Sequence, residues 1–143
     1  TEIFAILDQC ESIVEINRIL EETASSIAER INSFNRKTIN STLQKAMDYI
    51  CENYNEPITL NEVAEHTYVS IYYLSRMFTK ELGKNYVDYL NEVRIEKAKE
   101  YLKDSCCKTY EIAELVGIKD AHYFSKLFKK YTGVTPSEYR SGS

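Results

Sequence analysis

The feature that most constrains the fold of this chain is an internal repeat with a period of about fifty residues. Residues 62–65 (EVAE) match residues 111–114 (EIAE) at a shift of 49. Five more residues recur at a shift of 50: Tyr73, Ser75, Phe78, Lys80 and Gly83 match Tyr123, Ser125, Phe128, Lys130 and Gly133. The turns inside the two copies therefore differ in length by one residue. Two similar helical units are expected.

The second copy, residues 109–140, has the pattern of a helix-turn-helix. Gly117 stands where the first helix should end, because glycine readily takes the positive φ of a helix C-terminus. Asp120 is expected to cap the next helix. The predicted buried face of that helix follows helical spacing: Phe124, Leu127, Phe128 and Tyr131. Thr135, Pro136 and Glu138 predict a last short helix with a capping box.

The first copy, residues 60–83, follows the same plan. Thr59 and Glu62 open it with a capping box, and Gly83 ends it. Its predicted buried stripe consists of Leu74, Met77 and Phe78. Between the copies, residues 86–103 predict a helix of about 27 Å, at about 1.5 Å per residue. In a helix-turn-helix, the second helix can enter the major groove of DNA as a recognition helix. The helix between the copies can hold two such recognition helices near the ~34 Å of one DNA turn.

These residues resemble the DNA-binding domain of AraC/XylS-type transcription regulators, over residues 41–140. The most specific part is residues 117–140, which contain the strings YFSKLFKK and GVTPSEYR. The resemblance implies an all-α fold of two helix-turn-helix lobes joined by a long linker helix, here with an N-terminal helical extension. The implied division is a helical segment at 1–36 and a DNA-binding domain at 37–143, with motifs at about 60–83 and 109–133.

The resemblance also assigns candidate DNA contacts. In the first copy they are Tyr72, Tyr73, Ser75, Arg76 and Lys80. In the second copy they are Ala121, His122, Tyr123, Ser125, Lys126, Lys129 and Lys130. An arginine in a major groove can bind guanine O6 and N7 together, whereas Lys126, which stands where arginine is usual, is a point donor. Three residues of the helix between the copies resemble linker positions of the family: Arg94, Glu96 and Lys97. We interpret them as members of structural ion pairs in preference to DNA contacts.

Some of these residues could have a structural or surface role in place of DNA contact. The three lysines of the second copy could form an ordinary solvated face, although the repeat favours phosphate binding. Tyr73 and Tyr123 could pack at the seam between helices, and His122 could be a surface histidine. Three further departures from the family pattern are Thr109 in place of an aliphatic residue, Ile118 in place of an aromatic one, and Tyr68 at a turn position that often holds glycine or asparagine.

The formal charge of −4 argues against a nucleic-acid partner only if it is taken over the whole chain. Residues 1–36 hold seven acidic and three basic residues, which leaves fifteen of each in residues 37–143. Local charge is what neutralises phosphates, and the bases of the second copy cluster within two helical turns.

Residues 1–36 repeat apolar side chains with a heptad period. The two sets of core positions are Ile3, Cys10, Asn17, Ala24 and Ile31, and Ile6, Ile13, Leu20, Ile27 and Phe34. This pattern predicts either a coiled-coil homodimer, with Asn17 fixing its register, or a linker helix that covers a neighbouring domain. The segment loosely resembles the stretch before the DNA-binding domain of response regulators in two-component systems. A new helix could begin at Ser12, and a polar break is expected at residues 35–40 before a helix capped by Ser41.

Other function classes find little support. The four cysteines, Cys10, Cys51, Cys106 and Cys107, show no C-x-x-C spacing, so no metal, cofactor or disulfide site is predicted, and a reduced cytoplasmic location is expected. No catalytic motif points to an enzyme. No apolar run is long enough to span a membrane. Because the sequence starts at Thr1, we expect it to be a fragment of a longer protein.

The sequence therefore predicts a DNA-binding transcription regulator that inserts two recognition helices into adjacent major-groove segments. Double-stranded DNA is the predicted partner, and RNA polymerase and a second copy of the chain are the further partners considered. The rival interpretation is a helical protein–protein interaction module, in which residues 1–36 bind a protein and the lobes serve as scaffold.

Overall fold

The computed structural model describes residues 2–104 and 106–142, with side chains described from residue 13 onward. The described part is all-α, with seven helices and no strand. It forms two compact units, Thr1–Ser41 and Thr42–Ser143. The functional division after residue 36 stays a prediction.

Helix α1 spans Glu2–Asn53 without interruption. The predicted break at residues 35–40, with Ser41 as the cap of a new helix, is therefore wrong, and no helix begins at Ser12. The physical reason is that this stretch contains neither glycine nor proline, while asparagine, serine and threonine each lower helix propensity only slightly. Thr38 satisfies its hydroxyl within the helix, because Oγ1 donates to the carbonyl of Phe34 at 3.0 Å.

The first lobe consists of α2 (Leu60–Thr67) and α3 (Ile71–Met77), and α3 continues into a π-helical turn over Phe78–Leu82. The predicted capping box is confirmed: Thr59 N–H donates to Glu62 Oε2 at 2.9 Å, and Glu62 N–H donates to Thr59 Oγ1 at 3.2 Å. The predicted stripe, Leu74, Met77 and Phe78, is buried. Helix α3 packs on α2, which buries Val63 and Ala64.

Helix α4 (Tyr86–Asp104) is the predicted linker helix. Near its start, the Tyr86 hydroxyl donates to the carbonyl of Ile58 at 2.8 Å, which ties α4 to the entrance of the first lobe. Toward its end, Ile95, Ala98 and Leu102 are buried in the core of the second lobe. One helix therefore contributes to the packing of both lobes.

The second lobe consists of α5 (Thr109–Leu115), α6 (Ala121–Thr132) and α7 (Pro136–Gly142), all packed on α4. Two predicted caps are confirmed: Asp120 Oδ1 accepts from the backbone of His122 at 2.9 Å, and Thr135 and Glu138 form a reciprocal capping box. Phe124, Leu127 and Phe128 are buried, and the ring of Phe128 meets Tyr139 edge-on at 5.5 Å.

Candidate nucleic-acid interface

The two candidate recognition helices, α3 and α6, bury equivalent side chains. Leu74, Met77 and Phe78 are buried in the first lobe, and the residues fifty positions later are buried in the second: Phe124, Leu127 and Phe128. Each helix therefore turns the same face inward. The face that remains outside is also the same in both lobes.

The outer face of α3 begins with two tyrosines. Tyr72 is 82% exposed and Tyr73 is 42% exposed. Ser70 caps this helix, because its Oγ accepts from the backbone N–H of Tyr73 at 3.1 Å. The remaining candidates of this lobe, Ser75, Arg76 and Lys80, are exposed. All five candidates of the first lobe thus lie on one outward surface that begins at the helix N-terminus.

The outer face of α6 is more basic and less aromatic. His122, Lys126, Lys129 and Lys130 are exposed, whereas Ala121 and Ser125 are half-buried. Tyr123 is 49% exposed and lies close enough to Arg94 of α4 to interact with it electrostatically. This position is compatible with the seam alternative for Tyr123.

The basic side chains of both outer faces are free of carboxylate partners within the described residues. The ion pairs found there join other residues, and none involves Arg76, Lys80, Lys126, Lys129 or Lys130. The Lys130 ammonium lies 5.8 Å from the ring centroid of Tyr131. These cations would lose little internal stabilisation on meeting phosphates.

The turns of the two lobes are built differently. Tyr68 takes φ 59° and ψ 36° in the first turn, and its side chain is 94% exposed. Gly117 takes φ +88° in the second turn, where an added Cβ would lie 2.8 Å from the carbonyl oxygen of Tyr54. The predicted need for glycine at position 117 therefore has a second cause, a close approach to another backbone segment. Tyr68 follows α2 directly and precedes Ser70, the N-cap of α3, and it is not among the contacts predicted from the sequence.

Arg94 stabilises the same backbone segment from α4. Its Nε donates to the carbonyl of Tyr54 at 2.8 Å, and its terminal nitrogen donates to the carbonyl of Glu56 at 3.0 Å. Burial lowers the pKa of the guanidinium from its ordinary value. The ion-pair interpretation of Arg94 is therefore wrong, because its partners are carbonyl groups.

The other two linker positions do form ion pairs. Glu96 pairs with Lys99 at 2.7 Å, and Lys97 pairs with Glu100 at 3.6 Å, both on the surface of α4. Pairs of this kind, one turn apart on an exposed helix, contribute little to stability.

The described residues hold no group of three or more His, Cys, Asp and Glu side chains that could bind a metal ion. Within the same part of the chain, none of the helices is both long and apolar enough to cross a membrane. Cys51, Cys106 and Cys107 are free thiols, and the side chain of Cys10 lies outside the described residues.

Comparison with known proteins agrees with this geometry. A family model described as a helix-turn-helix domain matches residues 63–142. The chain is 37% identical over 130 residues to the uncharacterized HTH-type transcriptional regulator YijO of Escherichia coli, a match that covers 84% of this chain and 46% of that protein. The chain spans less than half the length of the curated relatives it matches.

Two solved structures illustrate the likeness in fold. The C-terminal domain of AraT, a response regulator from Geobacillus stearothermophilus, is 42% identical with a TM-score of 0.68, covering 71% of this chain and 85% of that one. The DNA-binding domain of AdpA, solved in complex with a target DNA, has a TM-score of 0.66 at 22% identity. That match covers 70% of this chain and 90% of the AdpA chain, and at this identity it supports the fold alone.

Proposed function

Because the chain belongs to the AraC/XylS-type family of helix-turn-helix proteins, we propose that it regulates transcription by inserting α3 and α6 into adjacent major-groove segments of double-stranded DNA. The relatives are named as transcription regulators, and AdpA is described with DNA bound. We assign no enzyme activity to this segment. The expected location is the cytoplasm, where the DNA of such a regulator would be found.

The observation that carries the proposal is the matched burial of α3 and α6. Because residues fifty positions apart face inward in both helices, equivalent positions face outward, and cations without carboxylate partners stand on both outer faces. Helix α4, with nineteen residues, is about 28 Å long, close to one turn of DNA. Its packing on both lobes supports a fixed separation of the two recognition helices.

We assign different roles to the two basic faces. Arg76 offers a planar fork that can contact two acceptors of one guanine, so the first lobe would supply base readout. The three lysines of α6 are point charges, so the second lobe would supply phosphate contacts. Contact with RNA polymerase stays a prediction.

A salt titration of duplex binding tests the proposal. Phosphate contacts make the logarithm of the association constant fall linearly with the logarithm of salt concentration. Replacing Lys126, Lys129 and Lys130 together by Ala should flatten this slope by close to one unit for each phosphate that is no longer neutralised. Lys97→Ala on the surface of α4 is the matched control and should leave the slope unchanged. Absence of duplex binding by the intact chain would favour the protein-interaction alternative.

We further propose that the N-terminal unit pairs with a second copy of the chain. Eight large apolar side chains of α1 are 50% exposed or more: Ile13, Val14, Ile16, Ile19, Leu20, Ile27, Ile31 and Phe34. Five of these occupy the predicted heptad seam. The seam residues Ile3, Ile6 and Cys10 have side chains outside the described residues.

Charge placed on this seam tests the pairing. Leu20→Asp with Ile27→Asp should shift the chain toward monomer in sedimentation, because carboxylates cannot be buried between paired helices. Ser25→Asp with Ser26→Asp adds the same charge off the seam and should leave the association unchanged. Asn17→Ile should strengthen association but loosen its stoichiometry. If the unmodified chain sediments as a monomer at all attainable concentrations, the linker-helix interpretation replaces this one.

A further inference from the structure

Tyr68 has the least favourable backbone conformation for its residue type in the described chain. It is the one described non-glycine residue with positive φ, at 59°. A side chain with a Cβ is disfavoured in this left-handed region. Two backbone hydrogen bonds hold it there, from Tyr68 N–H to the Glu65 carbonyl at 3.2 Å and from Val69 N–H to the Ala64 carbonyl at 3.1 Å. These bonds close helix α2, and a glycine would accept the same geometry without strain.

The side chain of Tyr68 does not offset this strain within the chain. It is 94% exposed, so it buries almost no apolar surface. No ring pairing among the described residues involves it. The exposed phenol is therefore available to a partner molecule.

The second lobe shows why a large residue fits only the first turn. At Gly117 an added Cβ would meet the carbonyl oxygens of Tyr54 and Asn55 at 2.8 and 2.9 Å. No such segment covers the first turn, as the exposure of Tyr68 demonstrates. The first turn can thus present a side chain outward at a place where the second turn cannot.

We propose that the Tyr68 hydroxyl donates a hydrogen bond to a DNA phosphate beside the groove segment entered by α3. This inference rests on the proposed function. Tyr68 lies two residues before the helix cap Ser70, and the N-terminal residues of a recognition helix contact base edges. Phosphates border the groove there, and tyrosine hydroxyls are among their common donors. A neutral donor releases no counterion, so this hydrogen bond adds affinity without adding salt dependence.

Three variants of the whole chain test this hydrogen bond: Tyr68→Gly, Tyr68→Asn and Tyr68→Phe. Tyr68→Gly should raise the melting temperature by about 2 to 6 °C, because strain is removed. Each of the three variants should bind duplex DNA about five- to tenfold more weakly, equally on all sequences. The salt slope should stay at the value of the unmodified chain, in contrast to the triple lysine variant.

Two outcomes would overturn the proposed hydrogen bond, and a third would overturn the strain from which it is argued. Unchanged duplex affinity in the stabilised Tyr68→Gly variant would remove Tyr68 from the interface. Full affinity in Tyr68→Phe would show that the hydroxyl does not bind DNA. A lower melting temperature in Tyr68→Gly would show that the ring stabilises the fold. These outcomes differ from failure of the proposed function, in which the unmodified chain itself would not bind duplex DNA.

Discussion

In the first lobe the turn between the two helices is open to solvent, whereas in the second lobe it presses against the segment that follows α1. The open turn holds Tyr68, exposed and in a left-handed conformation. The closed turn holds Gly117, where an added Cβ would lie 2.8 Å from the carbonyl oxygen of Tyr54. The helices on either side bury equivalent residues in both lobes.

In this chain, therefore, the buried faces specify each helix-turn-helix, while the residue that each turn can hold depends on what packs against it. Residues 54–56 explain the second turn, because the carbonyls of Tyr54 and Glu56 also bind Arg94 of α4. The second lobe is therefore anchored to α4 and to the end of α1 through one short segment. The first lobe is held differently: Tyr86 donates to the carbonyl of Ile58, and the ring of His66 lies 4.4 Å from that of Tyr49 near the end of α1.

The largest expected effect comes from Gly117→Ala. A positive φ of 88° and a backbone oxygen 2.8 Å from the new Cβ should together cost about 3 kcal/mol in the free energy of unfolding. Gly133→Ala is the matched control, because Gly133 also has positive φ but nothing lies within 4 Å of its added Cβ. It should cost about 1 kcal/mol. Equal losses in urea denaturation would show that the close approach is not part of the folded state.

The next largest effect, a loss of DNA affinity, is expected to differ between the two lobes. Arg76→Ala should cost about 1 to 3 kcal/mol on the selected site and relax the preference at one or two base pairs. Lys126→Ala, the equivalent change in the second lobe, should weaken binding to all sequences alike. Competition binding against single-base variants of the site measures both. A uniform loss for Arg76→Ala would assign that residue to the phosphate backbone.

Arg94→Met should reduce stability by about 1.5 kcal/mol, because two carbonyl groups lose charged hydrogen-bond donors. Lys97→Met on the same helix removes only a surface ion pair and should cost less than about 0.5 kcal/mol. Thermal unfolding of both variants checks the difference. Similar losses would show that the two carbonyl hydrogen bonds of Arg94 contribute no more to stability than a surface ion pair.

Tyr86→Phe should have the smallest effect near neutral pH, about 1 kcal/mol for the removed hydrogen bond to Ile58. Burial raises the pKa of Tyr86 from 10.0 to about 12. The protonated phenol is thus favoured by folding, and this stabilisation is present below pH 10 and lost as pH rises toward 12. Unfolding free energies measured from pH 8 to 12 should fall less steeply in the variant. An identical fall would assign the alkaline loss to other groups, such as Tyr54 and Tyr89.

The local features of this fold could be predicted from the sequence. The caps at Thr59, Asp120 and Thr135 depend on residues within three positions, and the buried stripes follow helical spacing. The unbroken helix through residues 35–40 was missed, because weak helix formers do not end a helix when glycine and proline are absent.

The remaining features depend on residues far apart in the chain. The carbonyl partners of Arg94 lie about forty residues away, and the approach of Gly117 to Tyr54 spans more than sixty. The DNA contacts themselves stay predictions, because exposure and charge identify an available surface without identifying the bases it reads.

The claim that both lobes bind DNA together is tested most directly by the spacing of the two half-sites. Selection from random duplexes would give the site, and five base pairs would then be inserted between its halves. Five base pairs are about half a turn of DNA, so the insertion moves one half-site to the opposite face. Because α4 fixes the separation of α3 and α6, the two lobes cannot then bind both half-sites. Affinity should fall to that of a single half-site. Unchanged affinity after the insertion would contradict the account, since it would mean that one lobe alone binds DNA.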